Sequence, residues 1–244
     1  MYIKAGNDVQ RSIRTIVFDP VKEIGTKPQL LELIQNFPEG AENLIVRIVY
    51  AVTDRGLNPK QEVVQAVKEV VGARKLGAQF LIPILGRLTK QDLITYLPFL
   101  IDAQAPLKEV ITRLLDQARY TSALSPADLL IQLHLINKET HGIGVKRILE
   151  AMDLCLTFRA VYKQEVLAIV LQKLVEHTPL PELLMRTVIQ SFRIVPALGK
   201  YIVSTIFQTL VRASFWKSKQ LWMGFVRACK VSSCAPVFFL RYLP

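Results

Sequence analysis

Lys163-Gln164-Glu165-Val166-Leu167-Ala168-Ile169-Val170-Leu171-Gln172-Lys173-Leu174-Val175-Glu176 sets Leu167, Val170, Leu171, Leu174 and Val175 against Lys163, Gln164, Gln172, Lys173 and Glu176. The run that follows repeats the pattern with Leu180, Leu183, Leu184, Val188, Ile189 and Phe192. Steps of three and four gather on one stripe of a helix. A half-buried strand would alternate every second residue. No segment sustains that alternation, and no Asn-Gly or Asp-Gly turn joins two β-rich runs.

Outward from this stretch, helix-start signals recur. Asn58-Pro59-Lys60-Gln61 offers an Asn cap, a proline at the first helical position and a glutamine beyond it. Ser125-Pro126-Ala127-Asp128 repeats the device with serine, and Thr89 with Asp92 forms a capping-box-like pair. Helix starts are predicted near residues 28, 41, 59, 76, 90, 105, 125, 143, 161, 180, 196 and 215. Two helices therefore recur about every 35 residues, the range of antiparallel helix-pair repeats. The predicted fold is all-α: an irregular, HEAT-like stack in which each pair buries its stripe against the next. Residues 1–27 read as a leader without a clear pattern. Residues 28–244 read as one helical domain, with no linker long enough to divide it.

Composition fits this reading. Of 244 residues, 51% are hydrophobic and 21% charged, which excludes a disordered or collagenous chain. Three cysteines exclude a disulfide framework and point to a reducing compartment, cytosol or nucleus. The best membrane candidate, Tyr201 to Val211, lies between Lys200 and Arg212 and falls well short of the roughly 20 apolar residues a span needs. Met1 to Gln10 has no apolar signal core. Charge is uneven. After Glu182 there is no acidic residue, and Arg186, Arg193, Lys200, Arg212, Lys217, Lys219, Arg227, Lys230 and Arg241 contribute nine of the net eleven positive charges. Such asymmetry suits an acidic partner or nucleic acid.

The residues of enzyme chemistry do not assemble in the sequence. His134, His141 and His177 are the only histidines, and Cys229 with Cys234 makes an isolated C-x4-C without a second pair. Cys155 sits between Leu154 and Leu156, where a thiol is a packing residue. No G-x-S-x-G, Walker or G-x-G-x-x-G pattern occurs, and Gly142-Ile143-Gly144 reads as a helix–helix turn. Asp92 with Asp102, and Glu176 with Glu182, are carboxylate pairs of an ordinary surface. No catalytic, cofactor or metal-ligating residue is assigned, and no small-molecule substrate is expected.

One helix does carry an ordered polar stripe. Glu182, Arg186, Gln190 and Arg193 follow spacings of four, four and three, opposite Leu184, Val188 and Ile189. The simpler reading is a solvated face with one Glu–Arg pair, worth about 0.3–0.5 kcal/mol. The functional reading is a groove or ridge that meets an acidic partner segment. Further on, Phe215, Trp222, Phe225 and Cys229 are spaced seven, three and four apart, the pattern of a buried stripe rather than a base-stacking platform. No RNP or KH signature accompanies the basic residues between them.

The stretch Thr178-Pro179-Leu180-Pro181-Glu182-Leu183-Leu184-Met185-Arg186-Thr187-Val188-Ile189-Gln190-Ser191 resembles the signature of the symplekin C-terminal domain. Tyr162 to Val170, Phe80-Leu81-Ile82-Pro83-Ile84-Leu85 and Phe37-Pro38-Glu39-Gly40-Ala41-Glu42 are similar to the same family and stand in the same order, so the resemblance runs from about residue 28 to about residue 230. It implies a nuclear, non-catalytic scaffold of pre-mRNA 3′-end processing. In that role the helical domain holds the endonuclease subunit of cleavage and polyadenylation specificity factor and that subunit's inactive homologue, and the chemistry belongs to the partner's zinc site. The sequence departs from the family in lacking its N-terminal helical domain and in the run Cys234-Ala235-Pro236-Val237-Phe238-Phe239, so the domain is expected to be truncated at its C-terminal end, with Phe238, Phe239 and Leu240 a sticky patch.

The residues assigned to partner contact are Arg186, Gln190 and Arg193, with Lys217 and Lys219 extending the basic surface. Arginine suits the role because its planar fork binds carboxylates in bidentate fashion. The alternative is direct RNA binding by the basic C-terminal region, which predicts affinity that falls steeply with salt.

Overall fold

Two of the helix starts legible in the sequence are capped as read. Thr89 Oγ1 accepts from the backbone N–H of Asp92 at 3.1 Å, and Asp92 Oδ2 accepts in return from the N–H of Thr89 at 3.2 Å. This reciprocal pair satisfies donors that a first helical turn leaves unpaired. Ser125 Oγ accepts from the N–H of Asp128 at 3.0 Å, with Pro126 opening the helix. The computed structural model describes residues 2–24, 27–53, 61–102, 106–120, 123–136 and 142–231. The Asn58-Pro59 signal, His141, Cys234 and the Phe238-Phe239-Leu240 run lie outside the described residues.

The chain is all-α, an irregular HEAT-like arrangement of packed helix pairs with no strand among the described residues. It divides into two compact units between Leu124 and Ser125. No glycine-rich or charged linker marks the division, because it falls directly at the Ser125 cap and its Pro126.

In unit 1 the helices are α1 (Asn7–Ile16), α2 (Phe18–Ile24), α3 (Pro28–Gln35), α4 (Glu42–Thr53), α5 (Gln61–Arg74), α6 (Lys90–Asp102) and α7 (Leu107–Tyr120). Residues 7–24 are thus helical although the sequence shows no pattern there. The reason is that α1 buries none of its residues and α2 only Val21, so neither needs a legible apolar stripe. The helix expected near residue 76 is replaced by two 3-10 segments, Ala78–Phe80 and Ile82–Arg87. Pro83 has no N–H to donate, and Phe80 to Leu85 is buried throughout, so these residues lack the solvated face of an amphipathic helix. Phe80 stacks on Phe37 at 6.0 Å. Lys68 Nζ on α5 donates to Asp92 Oδ1 at 2.7 Å, tying α5 to the cap of α6.

Unit 2 contains α8 (Pro126–Leu135), α9 (Val145–Thr157), α10 (Gln164–Glu176), α11 (Leu184–Ile194), α12 (Pro196–Arg212) and α13 (Lys219–Val231). The stripe of α10 is fully buried: Leu167, Val170, Leu171 and Leu174 expose nothing. It packs on α8 and α11, and α11 packs in turn on α13. Gly142 sits at φ +65° and Gly144 is the residue before α9, while residues 137–141 of the expected turn lie outside the described residues. Tyr162 donates its hydroxyl hydrogen to Pro126 O at 3.0 Å and pins the turn before α10 to the start of α8.

Between α11 and α12 the axis bends by 120° at Val195-Pro196. A residue before proline is pushed out of the α region, and Val195 sits at φ −133°, ψ 83°. The bend brings Phe192 and Phe207 together at 6.3 Å, and Phe207 meets Phe225 of α13 edge-on at 4.8 Å. Phe215 lies 4.8 Å from the same Phe225 ring. This aromatic knot fixes α13 against α11. Phe215, Phe225 and Cys229 are buried as their spacing predicts, and Trp222 is half-buried. No single helix is long and apolar enough to cross a membrane among the described residues.

Candidate functional site

The outer surface of unit 2 is shaped by the crossing of α11 and α13. Pro179 and Pro181 keep the chain before α11 from entering the helix early. The first turn then closes through Leu184 N–H to Pro181 O and Arg186 N–H to Leu183 O, both at 3.1 Å. That phase buries Leu184, Met185, Thr187, Val188 and Ser191. It leaves Glu182, Arg186 and Arg193 exposed and Gln190 half-buried. On α13 the buried side is Leu221, Phe225, Ala228 and Cys229, which turns Gln220, Met223 and Arg227 outward.

The two helices approach at Met185 and Gly224, and beside that contact lies a groove of about 370 Å³. Leu183, Met185, Ile189 and Met223 supply its apolar surface, and Glu182, Arg186, Gln190, Arg193, Gln220 and Arg227 its polar surface. Arg186, Gln190 and Arg193 are therefore brought together. Lys217 and Lys219 are exposed nearby in the chain but do not line the groove.

Two details differ from the sequence reading. Ile189, expected on the face opposite the polar stripe, is half-exposed and lines the groove with it. It precedes Gln190 by one helical step, about 100° away, so it borders the stripe rather than facing away. Arg186 also reaches beyond its own helix, to an ion pair with Asp153 of α9, Nη2 to Oδ2 at 2.7 Å. The sequence reading does not place Met223 in a site, and it names Arg227 only among the nine basic residues. Their spacing of four was available, but the aromatic stripe of α13 is the louder signal and draws attention to the opposite face.

The groove is net positive, with Arg186, Arg193 and Arg227 lining it against the single acid Glu182. From Leu183 to Val231 the chain carries eight basic residues and no acid. Neither Arg193 nor Arg227 has a hydrogen-bond or ion-pair partner among the described residues. The arrangement can bind carboxylates beside an apolar surface. Among the described residues it contains no nucleophile–base pair.

The other reactive groups are embedded in packing. Burial pushes the Cys155 thiol up to about 12, so it is not a nucleophile near neutral pH. His134 is buried, with Nδ1 2.7 Å from Leu130 O and Nε2 2.9 Å from Thr187 Oγ1. Burial pushes its pKa down to about 4. No three of His, Cys, Asp and Glu converge to hold a metal among the described residues. Unit 1 has a larger recess, about 680 Å³, bordered by Tyr50, Phe99, Asp102 and Glu109. There Tyr50 donates to Glu109 Oε1 at 3.1 Å and Arg113 Nε donates to the same oxygen at 3.1 Å, so the Glu109 charge is already answered.

No solved structure gives a significant match to the chain. The family model described as "Symplekin tight junction protein C terminal" matches residues 77–244. Phe80 to Leu85, Tyr162 to Val170 and Thr178 to Ser191 fall inside that span, and Phe37 to Glu42 falls before it. The match takes in more than half of the sequence and every residue that lines the groove, and the chain belongs to the symplekin C-terminal family.

Proposed function

We propose that this chain is a non-catalytic scaffold subunit of the nuclear mRNA cleavage and polyadenylation machinery. In this reading it holds the endonuclease subunit of cleavage and polyadenylation specificity factor and that subunit's inactive homologue. The α11–α13 face is the docking surface, with Arg193, Gln190 and Arg227 in contact with the partner and Lys217 and Lys219 adding to the long-range positive field. The observation that carries the reading is the groove itself: it lies within the family match, collects the polar stripe of the family-like block, and offers recognition without reactive chemistry. A surface of this kind acts by raising the local concentration of its partners, and binding energy spread over two helices suits a stable contact better than turnover.

The test is co-purification of the full chain with the C-terminal regions of the endonuclease subunit and its homologue. Retention of both through gel filtration is expected. Failure of either pair to co-elute at micromolar concentration removes the scaffold reading.

A further inference from the structure

We propose that the α11–α13 groove takes an acidic amphipathic helix of a partner protein, with apolar side chains against Leu183, Ile189 and Met223 and carboxylates on Arg193 and Arg227. The inference rests on the docking reading above and specifies the chemistry of the docked segment.

Three features point to this occupant. The first is the apolar surface. A lone exposed methionine is unremarkable, but Met223, 46% exposed, converges with Ile189 and Leu183 across a helix crossing. An unbranched thioether adapts to varied side chains and is favoured at peptide-binding surfaces. The second is charge. Arg186 is engaged by Asp153, whereas Arg193 and Arg227 have no partner among the described residues. They stand one on each helix, so an entering segment would meet a cation on both flanks. The third is shape. A groove between helices of 11 and 13 residues is about 16–20 Å long. That accommodates about three turns of helix, which presents anchors at i, i+3 or i+4 and i+7.

A nucleic acid fits these features less well. Single strands need rings to stack on. No aromatic residue among the described ones lines the groove, and Phe215 and Phe225 are locked in the knot beneath. An apolar surface between the arginines gains nothing from a phosphate backbone.

The experiment uses the full chain and four fluorescent probes in anisotropy titrations at constant salt. The first is a designed helix of about 16 residues with leucines at i, i+3, i+7 and glutamates on both flanks. The second carries lysine for every glutamate, the third serine for every leucine, and the fourth is an oligouridylate of similar length. The inference expects the first probe to bind at least about tenfold more tightly than the other three. It also expects Arg193→Glu with Arg227→Glu, and separately Met223→Ser, to weaken that binding about tenfold with the circular-dichroism spectrum unchanged. Equal binding of the acidic and basic helices, insensitivity to both sets of substitutions, or preference for the oligouridylate overturns it. Co-purification run with the same variants keeps the two readings apart. Intact co-elution alongside lost probe binding retains the scaffold and rejects the groove's occupant. Selective probe binding without co-elution retains the occupant and rejects the scaffold.

Discussion

Met185 and Gly224 meet at the α11–α13 crossing so closely that a Cβ added to Gly224 would lie 2.5 Å from Met185 Cβ and 2.9 Å from its Cγ. Real carbon pairs do not approach so near, so the missing side chain sets the separation of the helices. A glycine inside a helix costs about 1 kcal/mol relative to alanine. Gly224→Ala would recover that amount and add an overpacking penalty of about 1–3 kcal/mol, because the opposing atom is a Cβ that cannot rotate away. The expected result is net destabilisation of up to about 2 kcal/mol in urea unfolding, with reduced capacity of the groove for the acidic helix. Met185→Ala should not rescue it, since the nearest opposing atom remains. A variant as stable as the parent would show that α13 slides without cost.

The Arg186–Asp153 pair is short, 2.7 Å, but its side chains are 41% and 45% exposed. Solvent screening and lost side-chain entropy hold such a pair to about 0.2–1 kcal/mol. A double-mutant cycle with Arg186→Ala and Asp153→Ala should return a coupling energy in that range, and Arg186→Glu should leave helix content unchanged. Asp153→Ala should raise the affinity for an acidic helix by releasing the guanidinium. Loss of affinity on that substitution would place Asp153 inside the contact rather than in competition with it.

These cases show what the sequence could and could not disclose. The period of α10 fixes which residues go inside, because burial of Leu167, Val170, Leu171 and Leu174 follows from spacing alone. The Thr89 and Ser125 caps are equally local, since donor and acceptor lie three residues apart. The polar stripe of α11 is legible for the same reason. Its surroundings are not. Asp153 is 33 residues from Arg186, and only the tertiary fold brings the two together. Gly224 carries no side chain, so its role depends wholly on the neighbour that approaches it. Met223 and Arg227 become part of a site only once α13 is fastened to α11 by the aromatic knot, a tertiary fact that no single helical period contains. The 3-10 run from Ala78 to Arg87 is unreadable for the converse reason: every residue from Phe80 to Leu85 is buried, so there is no contrast of faces to detect.

His134 supplies a prediction with a definite sign. The only ring atom that can donate to Leu130 O is Nδ1, so Nε2 is the acceptor for the Thr187 hydroxyl, and the buried ring is neutral. Burial in an apolar site disfavours the cation and lowers the pKa to about 4, against about 6.5 for an exposed histidine. As pH falls below about 6.5 the unfolded chain takes up a proton that the folded chain refuses until about pH 4. This group's contribution is therefore fully present above about pH 6.5 and declines across the window down to about pH 4. Its total is roughly 3 kcal/mol, most of it lost before the carboxylates protonate. Urea unfolding followed at half-unit steps from pH 7.5 to 4.5 should show the decline in the parent chain. His134→Gln can keep a donor and an acceptor at the site but has no proton to bind, so its slope over the upper part of the window should be much smaller, whatever its stability at pH 7. Parallel curves for the two proteins would mean that the ring is protonated in the folded state and that Thr187 accepts its hydrogen bond.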